Sequence, residues 1–410
     1  MSAWLSVGSH RPPARAAAQL RPVKSNIPRA PCAPLVPLLA GAVALGLVIL
    51  PVFLIPTVRV CPDLIQFWTA AQLIASAHSP YDPVLQASIQ QQIGWQTATY
   101  GPEVYPFLPY YYPPWLALIY VPLLALGYAK AKFAWLVINA GLLLAAGLLF
   151  RNVARSLSAT AVVLLVCLFA PCVLTVLMGQ VSILVLLAAI GAWRLLEKGQ
   201  DVAAGAVLGW LTIKPQLTAV LLLGLLIWCA RRGRWRVVNG FVAALTLLVL
   251  SSTLLSPSWP IDMATAMQVS RVRTELAPTA LTVLQTVGAR GTMLWACYLA
   301  IASTVIALVL HAAWNRTSGL EAVVGVSLIA PFFVAPYARH YDFAILLIPA
   351  LILIAECKGT RSAWIWMGGL LVLPYLWLAI PGRSRFMFFW LPLLIAVAWL
   401  RPDRPRFLRK

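Results

Sequence analysis

Long apolar segments alternate with short polar ones along the chain from Pro34 to Leu400. The apolar segments are about 15–23 residues long, close to the ~20 residues that a helix needs to cross a bilayer. A membrane β-barrel would instead require alternating segments of about ten residues, and the sequence has no such segments. The pattern therefore predicts an all-α polytopic membrane protein.

Thirteen apolar cores can be delimited, at residues 34–56, 113–127, 133–150, 160–178, 180–196, 202–214, 217–230, 237–255, 293–314, 319–336, 341–356, 362–380 and 385–400. Two ends on the same side require an even number of crossings, so the prediction is about twelve transmembrane helices, within 11–13. Pro215 either kinks one long helix over 202–230 or marks a re-entrant hairpin, and "MGQ" at 178–180 allows a similar hairpin.

The charge distribution predicts the topology of these helices. The net charge is +20, and the basic residues lie in short loops and tails, which is the positive-inside pattern and excludes nucleic acid as the partner. We therefore expect a multi-pass plasma membrane domain over residues 34–400. Its basic cytoplasmic tails would be residues 1–33, which we expect to be disordered, and residues 401–410.

Two outer loops are expected, at residues 57–112 and 256–292. The first is acidic, and its stripe of Leu64, Trp68, Ala71 and Ala75 at helical spacing predicts an interfacial helix lying on the membrane surface. Asp63, Gln66 and Gln72 would then point away from the lipid. The motif "YARHYD" at 337–342 is expected on the same outer side.

Asp63 is the first candidate for chemistry, because it directly follows the first apolar segment. One interpretation is structural: Pro62 and Asp63 start a helix, and the carboxylate offsets the helix dipole. The other is functional: a carboxylate at the outer interface acts as a general base, with its pKa raised by the low dielectric.

Further candidates come from polar residues within apolar surroundings. Tyr112 in "YYPPW" is either an aromatic belt residue or a ligand, and Gln180 in "MGQVSILV" bonds either another helix or a substrate. Lys214 in "WLTIKPQL" is costly in a membrane, so it is a functional candidate unless it snorkels to an interface, and a phosphate partner would explain it.

The late motif "APYARHYDF" adds Arg339, His340 and Asp342 at an outer boundary. An arginine there is either an interfacial anchor or a phosphate ligand, and a histidine offers proton transfer or phosphate binding. Arg271 and Arg273 in the second outer loop either extend such an anionic site or are solvated.

Several other chemistries lack their sequence signatures. The chain contains no Walker loop, no G-x-S-x-G, no H-E-x-x-H and no D-x-D, and no cluster has metal-ligand spacing. Its seven cysteines form no C-x-x-C pair, which favours small core residues over a disulfide framework. We therefore expect neither a metal nor a cofactor.

The order of the motifs is more specific than any of them alone. An aspartate after the first helix precedes "SPYDP", Y-P-P, G-Q, a lysine before proline and a late P-Y-x-R-H-Y. Over residues 35–400 this order resembles glycosyltransferase family 87, which includes polyprenol-phosphate-mannose-dependent mannosyltransferases. The resemblance implies a GT-C-like helical bundle with a large first outer loop and an active site on the outer face.

The resemblance also implies roles for residues. Asp63 matches the catalytic aspartate, and His340 matches the late histidine near the donor phosphate or acceptor. Tyr81, Tyr112, Gln180 and Lys214 match motif positions, and with Gln66 and Arg339 they form the predicted substrate-binding set. Asp63 would deprotonate the hydroxyl of a glycolipid or glycan acceptor that attacks a polyprenyl-phosphate sugar, with inversion. A single carboxylate suffices for this reaction.

Two other functions compete with this prediction. A transporter or flippase of polyprenyl-linked sugars also needs charges within the membrane, but it favours paired inverted repeats, and none is evident here. A structural assembly subunit is disfavoured by the coincidence of Asp63, Lys214 and His340. Within the enzyme class, donors of a sugar other than mannose remain an alternative.

Overall fold

The computed structural model describes residues 35–54, 60–94, 107–151, 157–269, 277–357, 359–380 and 388–401. Within these ranges the protein is helical and contains no strand, which confirms the predicted all-α class. The α-helices are α1 Leu35–Ile49, α2 Leu64–Ala75, α3 Pro83–Gln92, α4 Pro114–Leu118, α5 Gly127–Phe150, α6 Ala159–Leu168, α7 Ala170–Met178, α8 Ser182–Glu197, α9 Asp201–Trp210, α10 Pro215–Arg231, α11 Trp235–Leu255, α12 Trp259–Val269, α13 Ala280–Thr286, α14 Gly291–Trp314, α15 Leu320–Ile329, α16 Pro331–Val334, α17 Leu347–Ala355, α18 Thr360–Ala379 and α19 Trp390–Trp399. Shorter 3₁₀ helices cover Leu50–Leu54, Val121–Leu126, Leu211–Ile213 and His340–Leu346.

Fewer helices than expected are long and apolar enough to cross a membrane. Four of the described helices qualify, and α6 with α7 adds a fifth if the pair, bent by 52°, is one span. The predicted count of about twelve spans is therefore not confirmed. The physical reason is that proline and glycine divide the other apolar segments into helices of 10–17 residues.

The apolar core at residues 113–127 differs most from a separate span. It forms the five-residue α4 and then a 3₁₀ helix that leads directly into α5. Pro114 begins α4, as expected for a proline in the first turn. This segment is therefore not a transmembrane helix of its own. It lies next to Tyr112, one of the predicted site residues.

Helices α9 and α10 form a hairpin. Arg234, just after α10, binds Asp201 at the start of α9, with Nη2 and Oδ1 2.5 Å apart. A single kinked helix over 202–230 would hold its ends ~40 Å apart, so that alternative is wrong and the chain reverses near Pro215; whether this reversal is re-entrant stays a prediction. Lys214 lies at the tip, between the 3₁₀ helix and α10.

Glycines allow α9 to pack closely on α11. A Cβ added at Gly205 would lie 2.1 Å from the carbonyl oxygen of Val237, and one at Gly240 would lie 2.4 Å from that of Val202. Small residues at such crossings let two backbones approach within van der Waals contact in a membrane. The hairpin is thus fixed against α11 by backbone contact.

The prediction for the first outer loop needs correction. Helix α2 does not lie on the surface with one apolar face: ten of its twelve residues are buried, including Gln66 at 5% exposure. It packs against α3 and α4, so the protein encloses it on all sides. The second loop contains α12 and α13, and Ser79 of the first loop donates a hydrogen bond of 2.6 Å to Asp262 of α12.

Of the predicted tails, 1–33 and 401–410, the structure describes only residue 401. Arg271 and Arg273 also lie outside the described residues.

Candidate functional site

The C-terminus of α7 holds the segment that carries Asp63. The backbone amide of Asp63 donates to the carbonyl of Met178 at 3.0 Å, and that of Cys61 donates to Leu177 at 2.6 Å. These are carbonyls at the end of a helix, which have no partner within the helix. Asp63 is therefore fixed to the end of α7 by its backbone.

Gly179 makes this approach possible. It ends α7 in the left-handed region at φ +71°, where glycine has no steric penalty. A Cβ at this position would lie 2.9 Å from the Cβ of Cys61. Cys61 itself has φ +51°, a strained conformation for a residue with a side chain. The motifs "MGQ" and "CPD" thus form one packed unit.

The carboxylate of Asp63 is buried, at 9% exposure. Its Oδ2 accepts a hydrogen bond of 2.6 Å from Nε2 of Gln180, and the carbonyl of Gln180 is in turn held by Asn139 at 3.2 Å. Asp63 caps α2 by position, but its side chain makes no capping hydrogen bond. Asp63 thus lies at the start of α2, as the structural interpretation expects, while its carboxylate is bound by Gln180.

Opposing effects set the pKa of Asp63. Burial raises it above the ordinary value near 3.8, whereas the Gln180 hydrogen bond and the charges of Arg339 and Lys214 lower it, and the net result is a raised pKa. A raised pKa makes a carboxylate a stronger base near neutral pH. The environment is thus suited to proton abstraction.

Lys214 is engaged within the protein. Its Nζ lies 2.5 Å from Oδ1 of Asp342 and 3.1 Å from Oγ of Ser182, and Ser182 donates to the same Asp342 oxygen at 2.7 Å. Lys214 and Asp342 are each 1% exposed. The rings of Tyr341 and Tyr112 lie 5.1 and 5.9 Å from Nζ. These contacts enclose the ammonium group within the protein. The sequence had predicted a phosphate as its partner.

Asp342 also holds the segment that carries Arg339 and His340. Its Oδ2 accepts a hydrogen bond of 2.8 Å from the backbone amide of Arg339, at the start of the His340–Leu346 3₁₀ helix. The guanidinium Nε of Arg339 donates to the hydroxyl of Tyr337 at 2.7 Å. His340 is half-buried with its ring against Tyr341. Arg339 thus enters the site on a fixed backbone.

Tyr81 acts on the site through Tyr112. Its hydroxyl donates to the carbonyl of Tyr112 at 2.7 Å, and it is buried against the ring of Tyr110. Asp82 caps α3 by accepting from Val84 and Leu85, which explains "SPYDP" as a loop followed by a helix start. The hydroxyl of Tyr81 thus holds the backbone at Tyr112 in place.

Two glutamines that the sequence analysis did not identify complete this loop. Gln86 and Gln90 lie one turn apart on α3. In each side chain, both the amide nitrogen and the amide oxygen form hydrogen bonds with backbone groups. Gln86 bonds Pro80 and Tyr110 at 3.0 Å each, and Gln90 bonds Leu108 at 2.8 and 2.7 Å. Their spacing of four residues on a polar helix was the available signal.

The structure thus brings most of the predicted residues to one end of the bundle. Asp63, Gln180, Lys214 and Arg339 interact directly or through their charges. Gln66 lies three residues after Asp63, one turn along buried α2. In the described part of the chain no group of three or more His, Cys, Asp or Glu is placed to hold a metal, and metal independence stays a prediction.

Comparison with known proteins places the chain in a family. The model of glycosyltransferase family 87 matches residues 110–336, more than half of the chain. The match includes Tyr112, Gln180 and Lys214. Asp63 and Arg339 lie outside the matched residues but are connected to them by the contacts described above. No curated protein and no solved structure matches the chain.

Proposed function

The chain belongs to glycosyltransferase family 87 and is a membrane glycosyltransferase, and from this premise we propose that its donor is a polyprenyl-phosphate sugar. The acceptor is a hydroxyl of a glycolipid or glycan, and mannose is the sugar to test first. The observation that supports this proposal is the buried Asp63, held by Gln180 and close enough to Arg339 for their charges to interact.

Asp63 is the proposed general base. The hydrogen bond from Gln180 occupies Oδ2, and we assign the acceptor's proton to Oδ1. The acceptor oxygen forms a bond to the anomeric carbon as the bond between that carbon and the phosphate oxygen breaks. The proton passes to Asp63, and polyprenyl phosphate leaves with the electron pair. Attack opposite the phosphate inverts the anomeric centre.

Arg339 is the proposed partner of the donor phosphate, with His340 beside it. A guanidinium carries a permanent charge and presents five N–H donors, of which only Nε is used by Tyr337. The charge developing on the departing phosphate therefore meets a cation. This assignment requires no strong acid at the leaving group, because polyprenyl phosphate, a phosphate monoester, is already a good leaving group.

The proposed active site faces the outside of the plasma membrane. The ends of α8 and α10 opposite the site carry the basic segment 231–236 and Lys198. By the positive-inside rule we expect these ends to be cytoplasmic, and we infer that the site lies on the outer face within a GT-C-like arrangement of helices. Donor lipid and acceptor then meet where Asp63 lies, at the end of the bundle.

The test uses the purified protein in liposomes with radiolabelled polyprenyl-phosphate mannose and a cell-envelope extract that retains its glycolipids and glycans as acceptor. We expect labelled sugar to appear in a new lipid or glycan while an equal amount of polyprenyl phosphate is released. A protein that only moves lipid-linked sugars would relocate the donor without cleaving it. Parallel assays with other polyprenyl-phosphate sugars identify the donor sugar. If none of these donors is cleaved, the proposal is wrong.

A further inference from the structure

Lys214 is bound within the protein and is closed off from solvent. An ammonium group has three N–H donors. One is directed at Asp342, one at Ser182, and the rings of Tyr112 and Tyr341 lie within 6 Å of the nitrogen. The residue is 1% exposed, so a phosphate would have to displace a buried carboxylate to reach it.

Asp342 accepts hydrogen bonds from three segments that are distant in sequence. Ser182 belongs to the start of α8, Lys214 to the tip of the α9–α10 hairpin, and the amide of Arg339 to the late loop. Ser182 follows Gln180 by two residues, so the same cluster adjoins the residue that holds Asp63. The ion pair therefore lies at the junction of the elements that carry the proposed base and the proposed phosphate ligand.

A further contact ties this junction to the unit that holds Asp63. Thr175 of α7 donates to the carbonyl of Tyr341 at 3.0 Å, one turn before the carbonyls that hold Cys61 and Asp63. The 3₁₀ helix His340–Leu346 is thus held from α7, α8 and α10. Its first residues have a defined position relative to Asp63.

We propose that Lys214, Asp342 and Ser182 form an internal positioning cluster that sets the Arg339–His340 segment against Asp63, and that Lys214 does not bind the donor phosphate. This inference rests on the proposed function, because it assigns the phosphate to Arg339. It replaces the expectation that a lysine within the membrane serves a phosphate ligand. Asp342 thereby becomes a positioning residue that acts through the backbone of Arg339.

The test is a double-mutant cycle of Lys214→Met, Asp342→Asn and the combined variant. Methionine approximates the length of lysine, and asparagine keeps an oxygen that accepts from Ser182 or Arg339. Each single variant leaves a buried group without its partner, so transfer should fall at least about tenfold. The combined variant removes both charges, so its kcat and donor KM should lie closer to the wild-type values than those of either single variant.

A phosphate-binding Lys214 gives the opposite result. The combined variant, folded as judged by thermal midpoint and monodisperse elution, would keep the high donor KM of Lys214→Met, and that outcome overturns the inference. The pH profile adds a second measure, because Lys214 lowers and Asp342 raises the pKa of Asp63. The acid limb of the pH profile of transfer should move to higher pH in Lys214→Met. In the combined variant it should move back towards its wild-type position.

Ser182→Ala keeps the inference testable if the combined variant does not fold. It removes one hydroxyl and no charge, so we expect a folded protein with a several-fold lower kcat, whereas wild-type kcat and donor KM would overturn the inference. Lys198→Met, at an exposed lysine, is the matched control and should resemble the wild type. If the wild type itself cleaves no donor, the proposed function fails. This result differs from one in which the wild type is active and the combined variant does not recover activity.

Discussion

The amide of Gln180 lies 2.6 Å from the carboxylate of Asp63, although 117 residues separate them in sequence. The donor is Nε2 and the acceptor is Oδ2, so the bond stabilises the ionised carboxylate. Oε1 of Gln180 is buried and has no hydrogen-bond partner among the described residues. Gln180 therefore orients the proposed base and leaves one buried acceptor beside it.

Gln180→Leu should shift the pH dependence of transfer. Burial raises the pKa of Asp63, and the Gln180 hydrogen bond partly offsets this, so its loss raises the pKa further. The base must be ionised to act, so the acid limb of kcat/KM should move to higher pH. A hydrogen bond to a charged group contributes ~1.5–3 kcal/mol, or roughly 10- to 100-fold in rate near neutral pH.

The matched control is Gln72→Leu, at a half-exposed glutamine on α2. Its pH profile should equal that of the wild type. An acid limb that stays in place in Gln180→Leu would show that this hydrogen bond does not tune Asp63.

Gly179→Ala should abolish most transfer. The left-handed φ of +71° costs ~1–2 kcal/mol for a residue with a side chain, and the new Cβ would lie 2.9 Å from Cys61. The CPD segment would have to move, carrying Asp63 away from Gln180. Gly191→Ala in α8 is the control, because its Cβ meets nothing within 4 Å and alanine favours the helix. Wild-type kcat in Gly179→Ala would contradict the proposed packing of MGQ on CPD.

Arg339→Gln should raise the donor KM roughly 10- to 100-fold, because it removes the charge assigned to the phosphate. The donor KM of Arg339→Lys should lie between those of the wild type and Arg339→Gln, since lysine keeps the charge but lacks the planar guanidinium. The measurement is initial rate against donor concentration at a saturating acceptor concentration. Arg236→Gln, at an exposed arginine near the opposite end, is the control. A raised acceptor KM with an unchanged donor KM would assign Arg339 to the acceptor.

Much of the candidate site could be predicted from the sequence, because its residues are the polar exceptions in an apolar chain. Asp63, Gln180, Lys214 and Arg339 each stand out in this way, and the structure brings them to one end of the bundle. Their pairing was not predictable. Lys214 and Asp342 are 128 residues apart, and only the fold shows that the lysine's partner belongs to the protein.

The fold was predicted in class but not in detail. Apolar content and segment length identify membrane helices, yet they do not show where a chain reverses, as it does at Lys214. The burial of α2 was missed because its apolar stripe also suits a surface helix, whereas the contacts that enclose it come from α3 and α4. Long-range contacts of this kind have no signature in local periodicity.

The side of the membrane can be tested with two introduced cysteines. Ser88→Cys on α3 lies near the site and Lys198→Cys near the opposite end, and both positions are exposed. In a background with serine at Cys32, Cys297 and Cys357, a membrane-impermeant maleimide should label Ser88→Cys on intact cells. Lys198→Cys should react only after permeabilisation, because the positive-inside rule places it in the cytoplasm. The reversed pattern would put the site on the cytoplasmic face.

The central claim is that Asp63 is the general base of sugar transfer, and the most direct measurement compares Asp63→Asn with Asp82→Asn. Both lie in the first outer loop, and asparagine replaces aspartate equally well as the cap of α3. General base catalysis contributes ~10²–10⁴-fold, so Asp63→Asn should lose at least about a hundredfold in kcat. Burial disfavours the ionised Asp63, so its neutral replacement should keep or raise the thermal midpoint at pH 7. Asp82→Asn should transfer sugar at the wild-type rate. Full transfer by a folded Asp63→Asn would contradict the account.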